Sequence, residues 1–146
     1  MSTRISITRQ DRYRFLVDFG PRLPSAIVDE PPPLSDGAGP SPPQLLAAAV
    51  ANCLAASLVF AVARYREDPG ALTATATCDI SRNEHNRPRV TGIAVRIALD
   101  AAAETLVNLE RALAQFEDFC TVAQSVKTGI PLAVTVVTPD GRVLKS

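Results

Sequence analysis

The sequence predicts an α+β fold in which a mainly antiparallel sheet wraps around long central helices. Strand-like and helix-like segments are interspersed without the regular strand–helix–strand rhythm of a parallel sheet. The helix expected at 42–66 is also too apolar to lie on a protein surface. Because one chain of 146 residues supplies only one modest sheet to cover it, we expect a homodimer whose sheets enclose a shared pair of central helices.

The N-terminal strands are expected at 2–28. Apolar and polar residues alternate at 4–7 and again at 13–17, the pattern of a half-buried strand, and Gln10-Asp11 supplies the turn between them. The following segment, 29–40, is rich in proline and glycine. Proline removes backbone donors and glycine permits tight turns, so this segment is predicted to be a loop.

The central helix, predicted at 42–66, begins with a capping box. Ser41 suits the N-cap, Pro42 suits the first helical position, and Gln44 stands where its side chain reaches back to the Ser41 amide. Asp68-Pro69-Gly70 stops the helix.

The uncharged stretch 45–63 within this helix has nearly the length of a membrane span. Eight of its 19 residues are alanine, which contributes little transfer free energy, and Asn52, Cys53 and Ser57 interrupt it. No aromatic belt or one-sided basic cluster flanks it. We therefore expect a helix buried in protein and no membrane partner.

The second half of the chain is predicted to continue the same single domain, 1–146. Its expected elements are strands at 72–80 and 90–99 joined by a loop at 81–88, a helix at 101–116, a short helix at 120–127 and C-terminal strands at 130–144. Gly129 suits the left-handed position that ends the short helix.

Composition argues against a nucleic-acid partner. Lys plus Arg and Asp plus Glu number 15 each, tryptophan is absent, and aromatic residues make up 5% of the chain. A basic face and stacking platforms, which nucleic acids require, are therefore not expected. The N-terminus lacks the apolar segment of a signal peptide, so we expect a cytoplasmic protein with reduced thiols.

The three cysteines differ in their expected reactivity. On composition alone, Cys53 in its alanine-rich helix is more often a small core residue than a reactive one. Cys120 lies near the start of a short helix, where amide groups stabilise a thiolate, although the neighbouring Glu117 and Asp118 would raise its pKa. Cys78 lies on the apolar face of a strand and is expected in the core.

No metal or other cofactor is expected. His85 is the only histidine and lies in a polar loop, where a solvated side chain is the simplest interpretation. Neither a CxxC nor an HxxxH spacing is present, which argues against a structural zinc site.

Two segments carry a resemblance to a known family. The first is Gly-Pro-Ser-Pro at 39–42 followed by Leu-Leu-Ala-Ala-Ala-Val-Ala-Asn-Cys at 45–53. The second is Phe-Cys-Thr-Val-Ala-Gln-Ser-Val-Lys at 119–127 with Gly-Ile-Pro at 129–131. Together with the order of elements, they make nearly the whole chain resemble the OsmC/Ohr family of osmotically inducible and organic hydroperoxide resistance proteins, as a divergent OsmC-like member.

This resemblance implies an intertwined homodimer and a cysteine-based peroxidase acting in oxidative-stress defence. It makes Cys53 the thiol that attacks an organic hydroperoxide and becomes a sulfenic acid, and Cys120 the thiol that resolves it as a disulfide. A dithiol reductant would then restore both thiols. Apolar walls would favour alkyl or fatty-acid hydroperoxides.

The same resemblance implies an arginine that stabilises the reactive thiolate and an acidic residue at the helix start that orients the arginine. The arginine candidates are Arg9, Arg12 and Arg22. The helix start has Pro43 and Gln44 and no carboxylate, so Gln44, or Glu30 or Asp36 in the loop, would have to orient the guanidinium. This departure keeps a second hypothesis open, a non-catalytic module that binds an apolar or electrophilic small molecule in the dimer pocket.

Overall fold

The computed structural model describes all 146 residues and has the α+β class that the sequence predicts. Residue contacts divide the chain into two compact units, Met1–Leu46 and Ala47–Ser146. Each unit carries one sheet, and the two sheets are separate.

The first unit holds a three-stranded antiparallel sheet in the order β1 (Ser6–Asp11), β2 (Arg14–Asp18) and β3 (Ala26–Val28). The predicted turn at Gln10-Asp11 is wrong, because β1 continues through both residues and Asp11 pairs with Arg14. The turn lies at Arg12 and Tyr13 instead, and Arg12 takes the positive φ of 41° that such a two-residue connection uses.

The second unit holds a four-stranded mixed sheet. Its order is β4 (Leu72–Arg82), β5 (Pro88–Leu99), β6 (Leu132–Val137) and β7 (Val143–Lys145), with β5 and β6 parallel and the other pairs antiparallel. Both β4 and β5 are longer than predicted, so the expected loop at 81–88 shrinks to a tight turn. The Asn83 side chain makes that turn possible, since its Oδ1 accepts the amides of His85 and Arg87 at 3.0 Å each.

The central helix α1 spans Pro42–Ala63 and ends three residues before the predicted position. The chain leaves the helix through a turn at Arg64–Arg66, in which Arg66 takes a positive φ of 60°. The capping prediction for Gln44 is confirmed, because its Oε1 accepts the Ser41 amide at 2.8 Å.

The helix predicted at 101–116 is interrupted. A 3₁₀ turn at Ala101–Thr105 is followed by Leu106 in extended conformation, and the α-helix α2 begins only at Leu109 and ends at Gln115. A second 3₁₀ turn covers Phe116–Phe119. The Glu67 carboxylate accepts the amides of Val107 and Asn108 at 2.9 and 3.2 Å, so a side chain distant in sequence satisfies the donors that a continuous helix would have used.

The short helix α3 spans Thr121–Val126, with Cys120 as its N-cap, inside the predicted range. Gly129, however, does not take a positive φ. The amides of Gly129 and Ile130 both bond to the Val126 carbonyl, at 3.1 and 3.0 Å, and this pair of bonds ends the helix without a left-handed residue.

Burial divides α1 into two faces. One face is fully buried, including Val50, Leu54 and Leu58 at 0% exposure, while Val59 and Phe60 on another face are 42% and 54% exposed. The exposed face also carries small residues at helical spacing: Ala48, Ala49, Ala56 and Ala63. By length and composition α1 could cross a membrane, but core helices of soluble proteins pass the same test. The single chain thus leaves an apolar helix face uncovered.

Candidate functional site

Two of the three cysteines lie together in the second unit. Cys53 and Ser57 are one helical turn apart on α1, and both side chains are within hydrogen-bonding reach of the Cys120 thiol. Cys120 is completely buried, whereas Cys53 retains partial exposure. The structure therefore brings together the two thiols that the sequence singled out 67 positions apart.

The Cys120 sulfur is held by the element that follows it. As N-cap of α3, its Sγ accepts the Ala123 amide at 3.4 Å. Burial is the main cause that raises the pKa of the Cys120 thiol, and the neighbouring Cys53 raises it further. The Ala123 amide and the Ser57 hydroxyl act in the opposite direction but do not outweigh burial.

The pKa of Cys120 is raised, as expected, but burial and not the charge of Glu117 and Asp118 is the main cause. Glu117 pairs instead with Lys145 at 2.8 Å, and Asp118 is exposed to solvent. Cys120 is therefore a protonated donor, able to give its hydrogen to a thiolate or to a sulfenic acid at Cys53.

An aromatic and cationic group borders the dithiol. The Phe119 ring, next to Cys120 in sequence, meets the Phe60 ring edge to face with centroids 5.2 Å apart. The Arg64 guanidinium lies over the Phe119 ring, 5.0 Å from its centroid. Cys53, Ser57 and Phe60 lie along one side of α1 at spacings of four and three, and Arg64 follows four residues later, in the turn after the helix, with its amide bonded to the Phe60 carbonyl. Sequence reasoning missed this line, although its spacing is visible in the helix.

The other thiol and the histidine lie elsewhere. Cys78 is a half-buried free thiol on β4, and it is not among the groups that shift the pKa of Cys120 most. His85 is exposed at the β4–β5 turn, where its Nε2 lies 3.4 Å from Glu84. The solvated interpretation of His85 agrees with this position.

The arginines proposed from the resemblance all lie in the first unit. Arg9 donates to the Arg12 carbonyl at 2.9 Å, and Arg12 pairs with Asp36. Arg22 is exposed in the connection between β2 and β3. The role of any of them toward Cys53 stays a prediction.

Arg14 is the arginine that sequence reasoning missed. Its guanidinium lies 3.2 Å from Asp36 and 3.5 Å from the fully buried Asp29, and its Nε is buried without a well-formed hydrogen bond. The sequence does not show that the loop at 29–40 folds back with two carboxylates, so nothing in it distinguished Arg14 from the other arginines. Of the two loop carboxylates proposed to orient an arginine, Asp36 contacts guanidinium groups, and no side-chain partner is seen for Glu30.

Asp29 is held ionised. Burial raises its pKa, but hydrogen bonds from the Ser35 hydroxyl and the Ala38 and Glu30 amides, with the charge of Arg14, lower it to about 2. The amide bonds are 3.0 Å each. Asp29 therefore anchors the loop as a charged group. Gln44, by contrast, uses its carbonyl oxygen on the helix cap, which leaves that oxygen committed to the Ser41 amide.

One known protein family matches most of this chain. The sequence profile of the family described as OsmC-like protein matches residues 35–135. No curated protein matches the chain.

Three solved structures illustrate the likeness in fold. An OsmC-like protein of unknown function from Vibrio cholerae is 17% identical with a TM-score of 0.78, covering 94% of this chain and 99% of that one. An organic hydroperoxide resistance protein from Legionella pneumophila is 16% identical with a TM-score of 0.70, covering 93% and 96%. The organic hydroperoxide resistance protein OhrB of Bacillus subtilis is 17% identical with a TM-score of 0.65, covering 93% and 98%. By its sequence profile and its fold, the chain belongs to the OsmC-like protein family.

Proposed function

We propose that this protein is a thiol-dependent peroxidase that reduces organic hydroperoxides through Cys53 and Cys120. One observation carries the proposal: a fully buried, protonated Cys120 thiol stands within hydrogen-bonding reach of a partly exposed Cys53 on an otherwise apolar helix. The family contains proteins described as conferring organic hydroperoxide resistance, which supports the same chemistry.

The reaction divides into two steps. The Cys53 thiolate attacks the terminal oxygen of the hydroperoxide, the O–O bond breaks, and the alcohol leaves with a proton while Cys53 becomes a sulfenic acid. The Cys120 sulfur then attacks the Cys53 sulfur, the S–S bond forms, the S–O bond breaks and water leaves. A dithiol reductant reduces the disulfide, which balances one hydroperoxide against two reducing equivalents.

The different exposure of Cys53 and Cys120 suits their proposed roles as attacking and resolving thiol. Cys53 is reached from solvent and so can meet a substrate, whereas Cys120 has no exposed surface and so meets only what forms on Cys53. A protonated Cys120 also supplies a hydrogen-bond donor to the Cys53 thiolate before it attacks. The apolar surroundings on α1 favour an alkyl hydroperoxide over hydrogen peroxide.

Steady-state consumption of tert-butyl hydroperoxide with a dithiol reductant tests the proposal. Cys53→Ser is expected to reduce the rate to that of the reductant alone. Cys120→Ser is expected to stop dithiol-dependent turnover and to leave a sulfenic acid that dimedone traps on Cys53. Cys78→Ser is the matched control and should retain turnover. A wild-type rate no faster than that of free dithiol would refute the proposal.

A second candidate is the non-catalytic binding module. Gln44 favours it, because this residue serves the helix cap and brings no carboxylate to the helix start. Its signature would be a small apolar or electrophilic molecule that co-purifies with the protein while Cys53 and Cys120 remain reduced in the presence of hydroperoxide.

We further propose that a second copy of the chain covers the exposed face of α1. That face combines Val59 and Phe60 with a row of alanines, and small residues permit close approach of two helices. Light scattering after size-exclusion chromatography should give twice the mass of one chain. Ala56→Arg should yield monomers, whereas Thr75→Arg, on an exposed strand position, should leave the mass unchanged.

A further inference from the structure

Three groups surround the ammonium of Lys145 on β7. Its Nζ donates to the Leu113 carbonyl at 2.7 Å and lies 2.8 Å from a carboxylate oxygen of Glu117. The same Nζ is 4.9 Å from the centroid of the Phe116 ring. The side chains of Lys145 and Glu117 are only 25% and 34% exposed. Because partial burial reduces screening by water and salt, this ion pair holds its two side chains more firmly than a fully exposed pair would.

The partners of Lys145 lie in the segment that leads to Cys120. Leu113 is close to the end of α2, where main-chain carbonyls carry partial negative charge and favour a cation. Phe116 and Glu117 begin the 3₁₀ turn that Cys120 follows directly. A 3₁₀ turn has poorer hydrogen-bond geometry than an α-helix, so the contact with Lys145 adds a constraint that the turn itself does not supply.

Glu117 connects this contact to the thiol through its main chain. The Glu117 carbonyl accepts the Cys120 amide at 3.1 Å and the side-chain amide of Gln124 at 2.9 Å. Gln124 lies on α3, the helix that Cys120 caps with its sulfur. A displacement of Glu117 would therefore move the backbone that carries the Cys120 sulfur together with the start of α3.

Lys145 lies in a fixed part of the sheet of the second unit. It is paired with Val136 of β6, whose side chain is completely buried. β6 in turn pairs with β5 along its whole length. The ammonium of Lys145 thus fastens the turn at 116–119 to the sheet.

We propose that Lys145 is a positioning residue for the resolving thiol, because through Glu117 it holds Cys120 where its sulfur reaches Cys53. This inference rests on the proposed peroxidase function and adds to it a residue that acts on the second step. In that step the Cys120 sulfur attacks the Cys53 sulfenic acid, the S–S bond forms, the S–O bond breaks and water leaves. Its rate depends on the orientation of the two sulfurs, whereas the first step uses Cys120 only as a weak S–H donor.

Rapid-quench experiments with tert-butyl hydroperoxide measure the two steps separately. Dimedone trapping gives the rate at which the Cys53 sulfenic acid forms, and alkylation with mass mapping gives the rate of disulfide formation. Lys145→Met keeps an unbranched apolar chain and removes the charge. It should slow disulfide formation about 10- to 100-fold and change sulfenic acid formation by less than about 3-fold. Lys145→Arg retains the charge and should restore part of the rate.

Two further variants separate loss of the ion pair from general loss of structure. Glu117→Gln should slow disulfide formation as Lys145→Met does, and the double variant should be no slower than either single variant, since both remove the same contact. Lys127→Met removes the other lysine of the chain, exposed at the end of α3, and should match the wild type. A double variant slowed by the product of the two single effects, or a Lys145→Met variant as fast as the wild type, would overturn the positioning role.

Equilibration with a glutathione redox buffer distinguishes failure of this inference from failure of the proposed function. The equilibrium gives the effective concentration of the two thiols without any hydroperoxide, and it should fall about 10-fold or more in Lys145→Met. Equal values in the two proteins would overturn the positioning role, whether or not the protein consumes hydroperoxide. The expected fall in a protein that consumes no tert-butyl hydroperoxide would support the positioning role and refute the peroxidase. A wild-type protein that forms no disulfide between Cys53 and Cys120 in either experiment refutes both.

Discussion

The Cys120 thiol and the Asp29 carboxylate are both buried ionisable groups, and their surroundings shift their pKa values in opposite directions. Asp29 receives three hydrogen bonds and lies beside Arg14, so its pKa falls to about 2. Cys120 receives an amide and a hydroxyl but no cation, and burial raises its pKa. The first site keeps its charge and holds a loop with it, whereas the second keeps its proton at neutral pH.

Because the two pKa values shift in opposite directions, they affect the pH dependence of stability in opposite ways. A depressed carboxylate pKa contributes stability above its ordinary value near pH 4, and this contribution is lost as pH falls toward about 2. A raised thiol pKa leaves the folded state protonated where the unfolded thiol ionises, so stability declines as pH rises above about 8.5. Asp29→Asn and Cys120→Ser each remove one side of this contrast.

Asp29→Asn should have the largest effect. It removes the charge that three donors and Arg14 surround, so the thermal midpoint at pH 7 should fall by several degrees. The variant should also lose less stability than the wild type as pH falls from 4 to 2, since the group that titrates there is gone. Differential scanning calorimetry across pH measures both. Asp118→Asn, at an exposed carboxylate, is the control and should match the wild type; if Asp29→Asn does so too, the loop is not anchored by this charge.

Cys120→Ser should remove the part of the stability loss at alkaline pH that the raised thiol pKa causes. A thiol that ionises only in the unfolded state lowers the free energy of unfolding by up to about 1.4 kcal/mol for each pH unit above its ordinary pKa. Urea unfolding of the reduced protein between pH 8 and 10 should therefore show a shallower decline in this variant than in the wild type. Parallel declines would mean that Cys120 ionises equally in the two states.

Gln44→Ala should have a smaller effect, confined to the helix start. Loss of the bond to the Ser41 amide should lower the free energy of unfolding by about 1 kcal/mol at any pH between 5 and 9. Gln44→Glu should keep the cap and add a favourable charge at the helix N-terminus. Chemical denaturation of the two variants measures the difference; a Gln44→Ala variant as stable as the wild type would show that the cap contributes nothing.

Ser57→Ala should have the smallest effect. The Ser57 hydroxyl lowers the Cys120 pKa slightly, so its removal should move the ionisation of that thiol to higher pH. Thiolate absorbance at 240 nm during an alkaline titration of Cys53→Ser and of Cys53→Ser/Ser57→Ala compares the two directly. An unchanged or lower midpoint in the double variant would contradict the contact between Ser57 and Cys120.

Local sequence signals predicted most of the fold. The capping box at Ser41 and the strands predicted at 72–80 and 90–99 depend on neighbours in sequence, and each appears in the structure near its expected position. The predicted helix at 101–116 failed because Glu67, more than thirty positions earlier, satisfies the amides at 107 and 108. Sequence periodicity carries no information on such a partner.

In the candidate site, too, some residues could be identified from the sequence and others could not. The family resemblance pointed to Cys53 and Cys120, and the structure brings them together. Arg14 was missed because its partners Asp29 and Asp36 come from a loop whose path no local pattern specifies. The Arg64 stack was missed because Phe119 reaches α1 only through the 3₁₀ turn that replaces the end of the predicted helix. Most helices and strands could be predicted from the sequence, whereas the contacts between segments distant in sequence could not.

The most direct test of the central claim is peptide mass mapping under non-reducing conditions after one equivalent of tert-butyl hydroperoxide is added to the reduced protein. We predict a single disulfide between Cys53 and Cys120, with Cys78 still a free thiol. A disulfide that involves Cys78, or two reduced thiols at 53 and 120 after the hydroperoxide is added, would contradict the account.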